Sequence, residues 1–136
     1  MLVLLLRVGD RRYALDARDV VEVVPGVPLA PAPGAPEWIA GQLQHRDGVA
    51  PVIDLPRLHT GTPAAALLST RLVLVRRDDG GLVALRVESA TAVARVATPP
   101  RPGAPLALED GETVELVRWT DLLPARAHAD RPAPSS

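Results

Sequence analysis

A proline-rich connector between two apolar runs constrains the fold of this chain more than any other feature. Residues 25–36 contain five prolines, at positions 25, 28, 31, 33 and 36. Each proline fixes φ, removes a backbone donor and restrains the residue before it toward extended geometry. The connector therefore cannot be a helix. We predict a stiff, extended arm that joins two β-type runs.

A β-hairpin is predicted directly after the arm. Its first strand ends at Arg46, and an Asp47-Gly48 turn leads into the return strand 49–53. An Asp-Gly pair between β-type runs is a strong hairpin signal because both positions tolerate positive φ. Pro51 places the return strand at a sheet edge or at a bulge.

Short β-type runs separated by turn residues recur along the rest of the chain. The predicted strands are 2–8, 13–16, 20–24, 71–75, 82–87, 92–96, 106–109 and 112–119. The turn between the fourth and fifth of these is Asp-Asp-Gly-Gly, which favours a hairpin. Single helical turns are predicted at 17–19, 64–68 and 121–123, and a short helix after residue 54. The pattern predicts an all-β fold with short connecting helices.

The second half carries the strongest apolar pattern. Val83, Leu85 and Val87 share one face of their strand, whereas Leu72 to Val75 is apolar on both faces. A strand of the second kind should be covered on both sides. One side is predicted to be core and the other to be core or an interface.

Composition excludes several functional classes. The chain has 136 residues, a net charge of -1, no cysteine, no Phe, one Tyr and two Trp. Nucleic-acid binding needs clustered positive charge or stacking aromatics, so it is not expected. Without cysteine there can be no disulfide and no thiolate metal site, which fits a reducing cytoplasm. The apolar run 1–6 is too short for a membrane span and lacks the features of a secretory signal, so no direct membrane contact is expected.

No catalytic, cofactor or metal site is predicted. The serines before the C-terminal tail, Ser69 and Ser89, lie in no nucleophile elbow or glycine-rich context. His45, His59 and His128 share no spacing typical of metal ligands. The glycines occur in turns, with no phosphate-binding pattern.

Two charged residues are the candidates for function. Glu22 lies on a strand between Val21 and Val23, and Arg46 stands at the tip of the hairpin. Taken alone, each is an ordinary exposed strand charge.

Three further positions have a structural interpretation. Asp54 is predicted to cap the short helix that begins at Leu55. Gly41 is predicted to allow a close backbone approach or a bulge. Trp38 is either part of the core or a plug between the arm and the sheet, and its sequence context leaves both open.

The order of these segments resembles a known family. Val-x-Glu-Val at 20–23, the proline arm, Trp38-Ile39-x-Gly41, Arg46 and the block Pro-Val-Ile-Asp-Leu at 51–55 are similar to the CheW-like domain of bacterial chemotaxis coupling proteins and histidine kinases. The resemblance runs from about residue 3 to residue 123. The family pattern has Asn-Leu-Arg-Gly in the hairpin, where this chain has Gln-His-Arg-Asp, so only the arginine is shared.

The resemblance implies two small five-stranded β-barrels packed on each other. The CheW-like domain would cover residues 1–124, with the first barrel at about 1–56, a bridge at 57–70 and the second barrel at 71–124. Residues 125–136 are rich in Ala, Arg, Pro and Ser and are expected to be a disordered tail.

The implied function is that of a non-catalytic adaptor without cofactors. Such a protein couples the cytoplasmic domain of a methyl-accepting chemoreceptor to the regulatory domain of a CheA-type histidine kinase, and it can also contact other CheW-like proteins. Glu22 and Arg46 are expected to form an exposed ion pair on the docking surface. The candidate partner-binding residues are Val20, Glu22, Gly41, Leu43, Arg46, Leu72, Val83 and Val87.

Other functions remain open at this point. The segment from Val96 to Leu106 is short and proline-rich, which fits a shortened accessory protein of a Frz-type gliding-motility system that binds receptor but not kinase. A small-ligand-binding or enzymatic β-barrel would need a polar pocket with perturbed titratable groups. A purely structural oligomeric barrel would associate with itself only.

Overall fold

The computed structural model describes residues 2–64, 67–93, 105–108 and 111–123. The strands in these ranges are β1 (Val3–Val8), β2 (Arg11–Asp16), β3 (Val20–Pro25), β4 (Ile39–His45), β5 (Gly48–Asp54), β6 (Arg71–Arg76), β7 (Leu82–Val87), β8 (Ser89–Val93), β9 (Pro105–Ala107) and β10 (Thr113–Leu116). The helix α1 (Leu55–Thr60) follows β5, and short 3₁₀ helices occur at Ala17–Asp19 and Trp119–Leu122. The predicted all-β fold is confirmed.

The strands form two five-stranded sheets. The terminal sheet, in the order β8-β1-β2-β10-β9, combines strands from both ends of the chain. The central sheet, in the order β3-β6-β7-β5-β4, comes from the continuous segment 20–87. Most neighbouring strands are antiparallel, and each sheet has one parallel pair, β2 with β10 and β5 with β7. The chain therefore leaves the terminal sheet after β2 and returns to it at β8.

This topology differs from the predicted division into barrels at 1–56 and 71–124. β6 and β7, which were assigned to the second barrel, pair with β3 and β5 in the central sheet. The segment 57–70 thus connects two strands of one sheet rather than two barrels. The division fails because backbone pairing with β3 and β5, on the other side of segment 57–70, places β6 and β7 in the central sheet.

Several predicted features fall wholly or partly outside the described residues. They are the end of the predicted strand 92–96, the middle of the predicted helical turn 64–68, most of the proline-rich segment 97–105, and the C-terminal tail 125–136.

Three apolar clusters explain how the sheets are stabilised. One lies inside the central sheet and is formed by Leu43, Ala50, Val52, Leu72, Leu74, Leu82 and Ala84. A second lies inside the terminal sheet and includes Val3, Ala14, Leu106, Val114 and Leu116. The third and largest joins the sheets, with side chains from β1, β2, β5, β6, β7 and α1. Because each sheet has a cluster made only of its own strands, each must curve around its own core.

Alternation along β6 and β7 distributes side chains between these clusters. Leu72 and Leu74 point into the central sheet's own core, whereas Val73 and Val75 belong to the cluster between the sheets. The prediction that β6 is covered on both faces is confirmed. Both of its faces are core, and neither is a free interface.

Asp54 caps α1, as the sequence predicted. Asp54 is 3% exposed and its side-chain Oδ1 accepts the backbone N–H of Arg57 at 3.0 Å. The same carboxylate accepts the backbone N–H of Ala64 at 3.2 and 3.1 Å, through Oδ1 and Oδ2. Asp54 therefore stabilises the start of α1 and the chain that follows its end.

Candidate functional site

The proline arm lies along the edge of the central sheet. Ala30 and Gln42 exchange two backbone hydrogen bonds, of 2.9 Å from Ala30 N to Gln42 O and 2.8 Å from Gln42 N to Ala30 O. The arm thus adds one bridge to β4, whose outer edge would otherwise have unpaired backbone groups. Covering an edge strand in this way prevents pairing with another chain.

Gly41 permits this close contact. A Cβ atom at position 41 would lie 2.6 Å from the carbonyl oxygen of Ala30 and 2.9 Å from Cβ of Leu29. The pairing of β4 with β5 also shifts between Ile39 and Gly41, and φ of Gly41 is 155°. Both predicted roles of this glycine, a close backbone approach and a bulge, are present.

An apolar groove is lined by the arm, the central sheet and the last 3₁₀ helix. Its volume is about 570 Å³. The wall on the arm side is formed by residues 32–36, and the floor includes Trp38, Ile53 and Val83. Trp119, in the last 3₁₀ helix, and Leu123, directly after it, also line the groove. Trp38 is buried in the cluster between the sheets and also lines the groove, so it is part of the core.

A charged cluster lies at the tip of the hairpin formed by β4 and β5. Arg46 Nη2 is 3.0 Å from Glu22 Oε1, so the predicted ion pair is present. His45 Nε2 lies 3.2 Å from the same oxygen atom. Arg46 is 76% exposed, whereas the His45 side chain is 6% exposed. We call Glu22, His45 and Arg46 the clasp.

The clasp connects the two edge strands of the central sheet. Glu22 belongs to β3 and His45 to β4, which are the first and last strands in the sheet order. Two edges can be joined by side chains only when the sheet curves far enough to bring them together. The clasp therefore lies across the line where the central sheet closes on itself, which we call the seam.

Electrostatics favour an ionised Glu22. The hydrogen bond from His45 and the positive charge of Arg46 hold the pKa of the Glu22 carboxyl below its ordinary range, although partial burial opposes this effect. Sequence reasoning identified Glu22 and Arg46 but missed His45. The sequence holds no local signal for His45, because its position beside the hairpin turn is typical of an exposed residue.

The clasp predicts a measurable pH dependence of stability. Because the pKa of Glu22 is lower in the folded chain, its ionised form stabilises the fold above the unfolded-state pKa, and this contribution is lost as the pH falls through the folded-state pKa. We expect wild type to be more stable than Glu22→Gln near pH 7, with the difference shrinking below about pH 4. Urea unfolding from pH 3 to 7 measures this. A difference that stayed constant across the range would contradict the role of the charge.

The eight candidate residues separate into two groups. Leu43, Leu72, Val83 and Val87 are at most 7% exposed and belong to the apolar clusters, and Gly41 is buried beneath the arm. Their apolar character reflects packing, so this structure offers little of them to a partner beyond Val83 at the groove floor. Val20 and Glu22 are half-buried and Arg46 is exposed. The accessible candidates are thus at or near the seam.

Two features of other protein classes are absent from the described residues. Within residues 2–64, 67–93, 105–108 and 111–123, no three His, Asp or Glu side chains converge as a metal site would require. No helix within the same ranges is long and apolar enough to cross a lipid bilayer.

Known proteins share both the sequence pattern and the fold. The pattern of the CheW-like domain family matches residues 2–122. Protein FrzA of Myxococcus xanthus is 39% identical over 66 residues, which make up 48% of this chain and 41% of FrzA, so the match spans less than half of that relative. The crystal structure of the scaffolding protein TtCheW from Thermoanaerobacter tengcongensis has a TM-score of 0.71 and 22% identity, covering 89% of this chain and 86% of that chain. Because the family pattern covers nearly the whole chain, this chain belongs to the CheW-like domain family.

Proposed function

We propose that this chain is a non-catalytic chemosensory adaptor that acts in the cytoplasm and couples a chemoreceptor's cytoplasmic tip to a CheA-type histidine kinase. Membership of the CheW-like domain family and the shared fold with a scaffolding protein support this proposal. The observation that carries it is the combination of an apolar groove with an exposed charged hairpin on one small scaffold. Such a scaffold can hold two different partners at once.

The groove is the proposed receptor site. Receptor tips are α-helical, and an amphipathic helix binds by placing its apolar side chains in a groove lined by apolar and aromatic residues. The groove has Trp38, Ile39 and Trp119 as large apolar contacts. The arm and the last 3₁₀ helix both line the groove, so the receptor helix would contact both.

The hairpin is the proposed kinase site. Arg46 projects from the turn after β4 and is the most exposed member of the clasp. A charge pair at the rim of an interface contributes to orientation and association rate more than to affinity. We propose that a barrel of the kinase docks at the seam, with the ion pair setting its orientation.

A second candidate function is an accessory adaptor that binds receptor alone. The hairpin shares only Arg46 with the family pattern, and the similarity to Protein FrzA covers less than half of that relative. The segment from Val96 to Leu106, whose shortness first suggested this reading, lies mostly outside the described residues. Receptor binding would use the same groove, and the seam would have no kinase partner.

The groove's lining argues against a small-ligand or enzymatic site. Of the described residues that line it, Arg77 is the charged one, and its guanidinium is 2.9 Å from Asp79. A ligand-binding or catalytic pocket would have convergent polar groups with shifted pKa values. The apolar lining instead suits the side chains of a helix.

Two variants separate the proposed partner sites. Ala35 is exposed and lines the groove, so Ala35→Glu should weaken binding to a receptor cytoplasmic hairpin about tenfold or more by placing a charge against apolar side chains. Arg46→Ala should weaken binding to the kinase regulatory domain and leave receptor binding unchanged. Calorimetric titration against each partner from the same gene cluster measures both effects.

The matched control is Ala40→Glu, which adds the same charge at an exposed position of β4 outside the groove lining. This variant should bind the receptor as wild type does. Binding to both partners supports the coupling adaptor, and binding to the receptor alone supports the accessory adaptor. Binding to neither would overturn both proposals and leave the fold assignment intact.

A further inference from the structure

His45 has an unusual environment for a histidine at the end of an edge strand. Its side chain is 6% exposed, although the next residue, Arg46, is 76% exposed. Both ring nitrogens have hydrogen-bond partners. Nε2 is 3.2 Å from Glu22 Oε1, and Nδ1 is 3.1 Å from the backbone nitrogen of Asp47. The ring is therefore held on two sides and is not a free surface imidazole.

These contacts determine the tautomer of the neutral ring. The backbone N–H of Asp47 can only donate, so Nδ1 must accept and carries no proton. The proton of the neutral ring is then on Nε2, and it is donated to the Glu22 carboxylate. Imidazole thus acts here as a fixed donor between the hairpin turn and β3.

The same carboxylate oxygen also accepts from Arg46. Oε1 of Glu22 is 3.2 Å from His45 Nε2 and 3.0 Å from Arg46 Nη2. An exposed arginine has many rotamers, and an ion pair in water restrains it weakly. A buried donor that holds the carboxylate in place restricts the side chains of the ion pair before binding. Less side-chain entropy is then lost when a partner binds.

We propose that His45 is a positioning residue that fixes the Glu22 carboxylate across the seam and so presents Arg46 to the docking partner in one orientation. The presentation of Arg46 to a partner rests on the proposed function, whereas the positioning of the Glu22 carboxylate does not. This role requires a hydrogen-bond donor at position 45. A hydrophobic side chain there could fill space but could not hold a carboxylate.

The charged groups around the ring come from three places. Glu22 faces Nε2 from β3, Arg46 lies beside Glu22, and Asp47 Oδ2 is 3.9 Å from Nδ1. Protonation of the ring would place a second N–H toward the Asp47 backbone N–H and remove that hydrogen bond.

Two substitutions at position 45 test the proposal. His45→Leu removes the donor but keeps an apolar side chain, whereas His45→Gln keeps an amide N–H that can reach Glu22. NMR titration of the Glu22 carboxyl should give a pKa that rises toward the ordinary glutamate value in His45→Leu and returns toward the wild-type value in His45→Gln. The nitrogen shifts of wild-type His45 should show the tautomer with the proton on Nε2.

Gln44→Leu is the matched control, because residue 44 is exposed on the same strand. It should leave the Glu22 titration unchanged. Binding to the kinase regulatory domain should weaken about tenfold in His45→Leu and recover in His45→Gln, with amide spectra confirming that both variants fold.

The two readouts separate the inference from the proposed function. An identical Glu22 titration in wild type and His45→Leu would overturn the inference. The inference would also be overturned if His45→Leu bound the kinase domain as tightly as wild type while Arg46→Ala bound it weakly. If wild type does not bind the kinase domain, the kinase half of the proposed function fails, and the positioning of Glu22 is still decided by the titration.

Discussion

Gly41→Ala should lower the free energy of unfolding by about 2–4 kcal/mol and separate the arm from β4. The added Cβ would lie 2.6 Å from the Ala30 carbonyl oxygen and 2.9 Å from Leu29 Cβ. Neither atom is the end of a flexible side chain, so the backbone itself must move. The positive φ of 155° adds strain for any residue with a side chain. Urea unfolding measures the loss of stability.

Hydrogen exchange locates the same effect. The amides of Ala30 and Gln42 donate to each other's carbonyl groups, so both should lose protection in Gly41→Ala. Gly34→Ala is the control, since Gly34 also has a positive φ, of 79°, but a Cβ there would meet nothing within 4 Å. It should cost about 1 kcal/mol. Equal losses in the two variants would show that the close contact between the arm and β4 is not important for stability.

Asp54→Ala is expected to cost about 3 kcal/mol of stability. The carboxylate is 3% exposed and accepts the backbone N–H groups of Arg57 and Ala64. Alanine would leave both donors without this acceptor, in a place that water reaches poorly. Thermal and urea unfolding should both show the loss, and α1 should fray because its first turn has lost the cap.

Two further variants test the physical cause. Asp54→Asn keeps an acceptor oxygen and should cost clearly less than Asp54→Ala. Asp16 caps the 3₁₀ helix at Ala17–Asp19 through Arg18 N at 2.9 Å, at a more exposed site, so Asp16→Ala should cost about 1 kcal/mol. If Asp54→Ala were no more damaging than Asp16→Ala, the buried acceptor would not be a principal support of this region.

Local chemistry made much of the structure predictable. The hairpin after the arm and the cap at Asp54 depend on residues within a few positions of each other, so turn and cap preferences suffice. The hairpin turn lies one residue earlier than predicted. β4 ends at His45 and β5 begins at Gly48, so Arg46 and Asp47 form the turn. The contact between Glu22 and Arg46 joins residues that are far apart in the chain. It was predicted from the resemblance to the CheW-like family, because local sequence patterns do not indicate such a contact.

The assignment of strands to sheets could not be obtained in the same way. The apolar faces of β6 show that it is an inner strand, but not that β3 and β7 are its neighbours. Position in the chain suggested that residues 57–70 separate two barrels. The actual sheets depend on which strands pair, and β6 pairs with both β3 and β7. The same limit applies to the buried candidates Leu43, Leu72 and Val87, whose patterns fit either a core or an interface until the sheets are known.

His45 shows why the site was only partly predictable. A histidine beside an Asp-Gly turn has the sequence context of an exposed residue. Its burial depends on Glu22, which approaches from an edge strand 23 positions earlier in the chain. No periodicity within β4 contains that information. It arises only when the central sheet curves until its first and last strands meet.

The terminal sheet combines strands from the first and last parts of the described chain, and this order has a consequence for biosynthesis. The central sheet is encoded by residues 20–87 and can form as soon as that segment has left the ribosome. β2 must wait much longer, because Tyr13 pairs with Glu115 in the parallel β2 and β10 ladder. During translation the first hairpin therefore has an open edge, and we expect the nascent chain to be most prone to aggregation in that interval.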